Sequence, residues 1–181
     1  MVEADSHEKW VMRAANCVRG SGSSVHRHVF DRLATLLCLE DIAWVDGQVN
    51  ELDDGVHGRI LVFTRDLLAI VDITGEARPH QHEQVTGRPQ GTTLVRVVPR
   101  TALIQVSLPG ADETDPRRST PGVWARFAFG GRINQEGWPR FDAPVELTYP
   151  GETVAVNGPI GATTREGFDE FMATVMVDLA Q

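Results

Sequence analysis

The chain has 181 residues, of which 41% are hydrophobic and 23% charged, and its formal net charge is −8. This length fits one domain with appendages, or one large and one very small unit, and a chain of this size folds without a disulfide or a metal. The negative charge, together with the absence of any basic run of four residues, argues against nucleic acid and anionic lipid partners.

Residues 1–40 are predicted to form a helical segment ahead of the main domain. A first helix over 3–19 places Trp10, Ala14, Cys17 and Val18 on one side. After a glycine-serine break, Ser24 is the predicted N-cap of a second helix over 25–39. Its apolar residues recur at helical spacing: Val25, Val29, Phe30, Leu33, Leu36 and Leu37.

The cysteines and the N-terminus bear on the cellular compartment. Cys17 and Cys38 fall on predicted helical faces, where we expect small buried thiols rather than a disulfide. The first ten residues are acidic and contain no apolar core of a signal peptide. No apolar run approaches the roughly 20 residues that span a bilayer. We therefore expect a cytoplasmic protein that is not integral to a membrane.

From Asp41 the apolar pattern changes from helical spacing to that of strands. Residues 42–45 and 48–52 have the composition of strands and are interrupted by Asp46-Gly47. An Asp-Gly pair between strands is typical of a hairpin turn, but one long strand with a bulge at Gly47 fits equally well. The sequence leaves both alternatives open.

The middle of the predicted core is the stretch 58–75. It contains two apolar runs, 60–63 and 67–73, joined at Thr64-Arg65-Asp66. Short length, β-branched residues and flanking glycines favour strands, and the tight link predicts an antiparallel hairpin. Both runs are too apolar to leave one face in water.

Five further strands are predicted, separated by turns and by long polar loops: 92–98, 102–108, 123–129, 145–149 and 153–156. The first two are expected to form a hairpin around Pro99-Arg100, and the last two around Pro150-Gly151-Glu152. The chain then ends in an amphipathic helix, for which Thr163 and Glu166 form a capping box. Its apolar stripe is expected to be buried and to close one end or face of the sheet: Phe168, Phe171, Met172, Val175, Met176 and Leu179.

The predicted fold class is α+β. N-terminal helices precede a domain over 41–181, in which about seven antiparallel strands form a bent sheet or half-open barrel closed by the C-terminal helix. This element order resembles the pleckstrin-homology-like superfamily, including its bacterial members and the GRAM domains. The residues that carry the resemblance are 58–64, 67–71, the corner at 98–103 and the helix over 168–179.

The resemblance implies a noncatalytic binding or scaffolding module. Phosphoinositide-binding members hold the head group with basic residues around the first strand loop. The matching stretch here, 46–58, carries Asp46, Glu51, Asp53 and Asp54 and no basic residue. This departure makes phosphoinositide binding an unexpected function for this chain.

The sequence contains few candidate catalytic or metal-binding residues. His80, His82 and Glu83 offer imidazole and carboxylate groups, but no third ligand is placed by spacing, so we interpret them as a solvated loop. Asp53-Asp54 is interpreted as a solvated turn, because adjacent residues of an extended chain point apart. No nucleophile elbow or phosphate-binding loop is present. We predict no catalytic residue, metal ligand or cofactor.

The candidate binding surface is the loop that contains Trp138, Arg132 and Arg140. Tryptophan and arginine are the residues that most often anchor protein interfaces, although Trp138 could instead pack back onto the sheet. The leading hypothesis is a noncatalytic interaction or scaffolding domain that binds a protein partner or self-associates. The alternatives are a small-molecule binder with its ligand in the barrel mouth, and a metal-dependent enzyme that uses the loop from His80 to Glu83.

Overall fold

The computed structural model of the chain describes residues 2–20, 25–53, 55–76, 91–107, 145–156 and 162–181. These fall into two units, Met1–Arg100 and Thr101–Gln181. The fold class is α+β, as predicted. In chain order the elements are α1 (Val2–Asn16), β1 (Arg19–Gly20), α2 (Arg27–Leu36), β2 (Trp44–Leu52), β3 (Gly55–Phe63), β4 (Leu67–Glu76), β5 (Thr92–Pro99), a 3-10 turn (Arg100–Ala102), β6 (Gln105–Ser107), β7 (Val145–Tyr149), β8 (Glu152–Val156) and α3 (Ala162–Leu179).

The first unit is built on a sheet in the order β1-β2-β3-β4-β5. The short β1 runs parallel to β2, and the other strands are antiparallel. The predicted central hairpin is confirmed: Phe63 lies opposite Leu68, and Thr64 closes the turn by accepting a hydrogen bond from the Leu67 amide at 3.1 Å. All residues of 60–63 and 68–71 are buried, so both faces of the hairpin are dry, as the sequence predicted.

The segment around Asp46-Gly47 is one strand rather than a hairpin. The pairing of β2 with β3 runs without interruption from Trp44 opposite Phe63 to Leu52 opposite Gly55. The turn therefore follows Leu52, with Asp53 exposed as predicted. A register shift does occur, but in the pairing of β3 with β4, between Val56 and Gly58.

Helices α1 and α2 share a hydrophobic core with one face of the five-stranded sheet. The predicted inner residues of both helices are largely confirmed as buried: Trp10, Ala14, Val25, Val29, Phe30, Leu33 and Leu37. Val49, Ile60, Val62, Ala69 and Val71 supply the sheet side of this core. The Trp10 indole N–H also donates to the Glu40 carbonyl at 2.8 Å, which ties α1 to the chain that follows α2.

Three details of the helical segment differ from prediction. Helix α2 begins at Arg27, with His26 rather than Ser24 before it, and Ser24 lies outside the described residues. Leu36 is exposed. Cys17 and Cys38 are free and exposed instead of buried, because α1 ends at Asn16 and α2 at Leu36, which leaves both thiols in turns.

Cys38 occupies a position that normally favours glycine. The Cys38 amide donates to the Thr35 carbonyl and the Leu39 amide to the Ala34 carbonyl, which is the Schellman pattern of a helix C-terminus. The residue just past the cap must then adopt a left-handed conformation, and Cys38 has φ 51°.

We expect Cys38→Gly to raise the free energy of unfolding by about 0.5–1 kcal/mol, because glycine adopts the left-handed region without steric cost. Urea denaturation followed by circular dichroism measures the change. Cys17→Gly, at the other exposed cysteine, is the matched control and is not expected to stabilise the fold. A lower stability for Cys38→Gly would contradict the account.

The second unit contains a three-stranded antiparallel sheet in the order β6-β7-β8, and α3, which approaches β6. The last predicted hairpin is confirmed, with Tyr149 opposite Glu152 and Gly151 at φ 80°, where a turn needs a positive φ. The predicted hairpin of 92–98 with 102–108 is wrong. β5 pairs with β4, whereas β6 pairs with β7.

The reason for this difference lies in the 3-10 turn at the end of β5. Arg100 is buried there, and its amide donates to the Asp66 carbonyl at 2.9 Å. This hydrogen bond holds the end of strand β5 to the β3–β4 turn, so the residues that follow do not fold back along β5. The described strands consequently form two sheets instead of one sheet of about seven strands, and neither is closed into a barrel.

The C-terminal helix is confirmed, although its buried stripe is narrower than predicted. It begins at Ala162, one residue before the expected cap Thr163. Phe168, Phe171 and Val175 are buried, at helical spacing, while Met176 is half exposed. Met176 follows Val175 directly and so lies about 100° further around the helix. Within the part of the chain that the structure describes, no helix has the length and apolarity to cross a bilayer.

Candidate functional site

The loops singled out in the sequence lie outside the described residues. This applies to the candidate binding residues Arg132, Trp138 and Arg140, and to the segment His80–Glu83. The roles of these residues therefore stay predictions. In the described ranges, no group of three or more histidine, cysteine or acidic side chains could hold a metal ion.

The described residues do bring charged side chains together on the second face of the five-stranded sheet, the face opposite α1 and α2. Side chains alternate between the two faces of a strand. Ile60 and Val62 join the helical core, so Arg59, Leu61 and Phe63 belong to the second face. Near the β3–β4 turn this face is buried and apolar, with Phe63 and Leu68 at its centre. Away from that turn it becomes polar.

On this face, the change from apolar to polar side chains occurs at one row of residues. Four residues lie directly opposite one another across β2, β3, β4 and β5, and we call them the exposed row: Gln48, Arg59, Asp72 and Leu94. Gln48 is exposed, and Leu94 keeps 55% of its surface in solvent. Arg96 follows two residues after Leu94 on β5 and is therefore a diagonal neighbour of Asp72 on the same face.

Asp72 binds two arginines from the neighbouring strands. The Arg59 Nε donates to one carboxylate oxygen, and the Arg96 Nη2 donates to the other, each at 2.6 Å. The side chains of Arg59 and Arg96 remain 42% and 40% exposed, while that of Asp72 is 26% exposed. Charge-assisted hydrogen bonds of this length are among the stronger polar contacts in proteins. They fix the direction in which both guanidinium groups point.

The two arginines also change the titration of the carboxyl group. Partial burial by itself would raise the pKa of Asp72, but the hydrogen bond and charge of Arg59, followed by those of Arg96, outweigh it and lower the pKa. A carboxyl group with a lowered pKa is a weak base at neutral pH and holds no proton to donate. The cluster is therefore suited to binding and not to general acid–base catalysis.

The lowered pKa predicts a pH-dependent contribution to stability. The folded-state pKa of Asp72 lies below the unfolded value of about 3.9, so the ionised group stabilises the folded chain above that value. The contribution is lost as the pH falls through the folded-state pKa. We expect Asp72→Asn to be less stable than the wild type at pH 7 in urea denaturation, and the difference to shrink as the pH falls below about 4. A difference that stays constant with pH would contradict this assignment.

This cluster was not predicted from the sequence, although a signal for it was present. Arg59, Asp72 and Arg96 each interrupt an apolar strand at a position that alternation assigns to one face. Counting outward from the predicted turn Thr64–Asp66 places Arg59 opposite Val71, whereas the pairing in the structure, with Phe63 opposite Leu68, is shifted by one residue and places Arg59 opposite Asp72. The partner of β4 on its other side was not predictable either, because a long loop separates β4 from β5.

Comparisons of the chain with protein-family models, with curated proteins and with solved structures gave no match.

Proposed function

We propose that the chain is a noncatalytic interaction module that binds a protein partner through the exposed row. The observation that carries this proposal is the pair of half-exposed arginines, Arg59 and Arg96, which Asp72 holds in place beside the exposed Leu94. Arginine is enriched among the residues that dominate binding energy, and exposed apolar side chains beside polar groups are typical of interaction surfaces.

The fixed geometry of the arginines supports binding as their role. A flexible arginine loses conformational entropy when a partner immobilises it, at a cost of about 0.5–1.5 kcal/mol per side chain. Arg59 and Arg96 are already restrained by Asp72, so part of this cost has been met before a partner arrives. The row also lies on paired strands of a sheet, which hold side chains more rigidly than loops do.

The pleckstrin-homology-like resemblance belongs to the same proposal. Four antiparallel strands, β2–β5, are followed by three more and by a terminal helix, and this order supports membership of that superfamily. The half-open barrel and the cytoplasmic location are likewise proposals. The loop with Arg132, Trp138 and Arg140 is proposed as a second part of the binding surface.

Capture of partners from the native cell tests the proposed function. Tagged wild-type protein is compared with Leu94→Arg, which places a charge in the exposed row, and with Leu36→Arg, which changes an exposed leucine of α2. We expect wild type and Leu36→Arg to retain a common protein and Leu94→Arg to lose it.

Two results would contradict this function. In one, Leu94→Arg retains every protein that the wild type captures. In the other, both leucine variants lose the same proteins. Sedimentation velocity of the three purified proteins separates self-association from binding of another chain, since a dimer formed through the row would dissociate in Leu94→Arg only.

A further inference from the structure

We draw no further inference here: the strongest candidate, the exposed apolar patch that Ala173, Met176 and Val177 form at helical spacing on α3, carries nothing, because nothing in the described part of the chain shows what covers it.

Discussion

Replacing Gly58 by alanine is expected to lower the free energy of unfolding by about 3 kcal/mol, the upper part of the range for overpacked sites. A Cβ atom at this position would overlap with the carbonyl oxygen of Gln48 and would lie 2.7 Å from the Cα of Val49. Both are backbone atoms of β2, so they cannot move without disturbing the pairing of β2 with β3. Urea denaturation followed by circular dichroism measures the loss.

Gly167→Ala is the matched control for this change. Gly167 is exposed on α3, and among the described residues no atom outside its own stretch of helix lies within 4 Å of the position that its Cβ would take. Alanine there should stabilise the helix by up to about 1 kcal/mol, since it is the better helix former. Equal effects of the two substitutions on the free energy of unfolding would show that the lack of space for a Cβ atom at Gly58 is not important for stability.

Replacing Arg100 by alanine is expected to cost about 3 kcal/mol of unfolding free energy. Arg100 is 3% exposed, and its Nη1 donates to the Thr64 carbonyl at 2.8 Å. Alanine would leave this carbonyl buried without its donor and would open a cavity between the end of β5 and the β3–β4 turn. Thermal and urea unfolding of the variant measure the effect.

Arg65→Ala provides the comparison for Arg100→Ala within the same region of the fold. Arg65 lies in the β3–β4 turn with its side chain 89% exposed, and its removal should change stability by less than about 0.5 kcal/mol. Arg100→Lys keeps a positive charge but offers a single ammonium group with different reach, so it should recover only part of the loss. Similar losses for Arg65→Ala and Arg100→Ala would contradict a bridging role for Arg100.

The parts of the fold that sequence predicted well are those fixed by local pattern. The runs on either side of Thr64-Arg65-Asp66 are too apolar to be exposed, and the short link between them makes them pair with each other. The hairpin around Pro150-Gly151 and the inner face of α2 follow from similarly local signals. In each case, residues that lie close together in the sequence are enough to predict the element.

The predictions that were wrong concern features that depend on contacts between residues far apart in the sequence. The side chain of Arg100 is buried against Thr64, 36 residues away, and no local feature of 92–108 indicates this contact. The exposed thiols of Cys17 and Cys38 depend on where two helices end, and helix ends are set partly by packing. At Asp46-Gly47 the choice between a turn and a continuous strand depended on the partner strand β3.

The candidate site also combines a contact within one hairpin with a contact between residues farther apart in the sequence. Arg59 and Asp72 are paired within the central hairpin, although counting from the predicted turn Thr64–Asp66 misses this pairing by one residue. Arg96 joins them only because β5 returns to β4 after a long loop. This second pairing places both arginines on one carboxylate.

Site-specific photo-crosslinking in the native cell tests most directly whether the exposed row binds a partner. A benzophenone amino acid is placed at Gln48 in the row and, in a second protein, at the exposed Leu36 on α2. The account predicts one discrete crosslinked species from position 48 that disappears when Leu94→Arg is added, and no such species from position 36. No crosslink from position 48, or the same products from both positions, would contradict it.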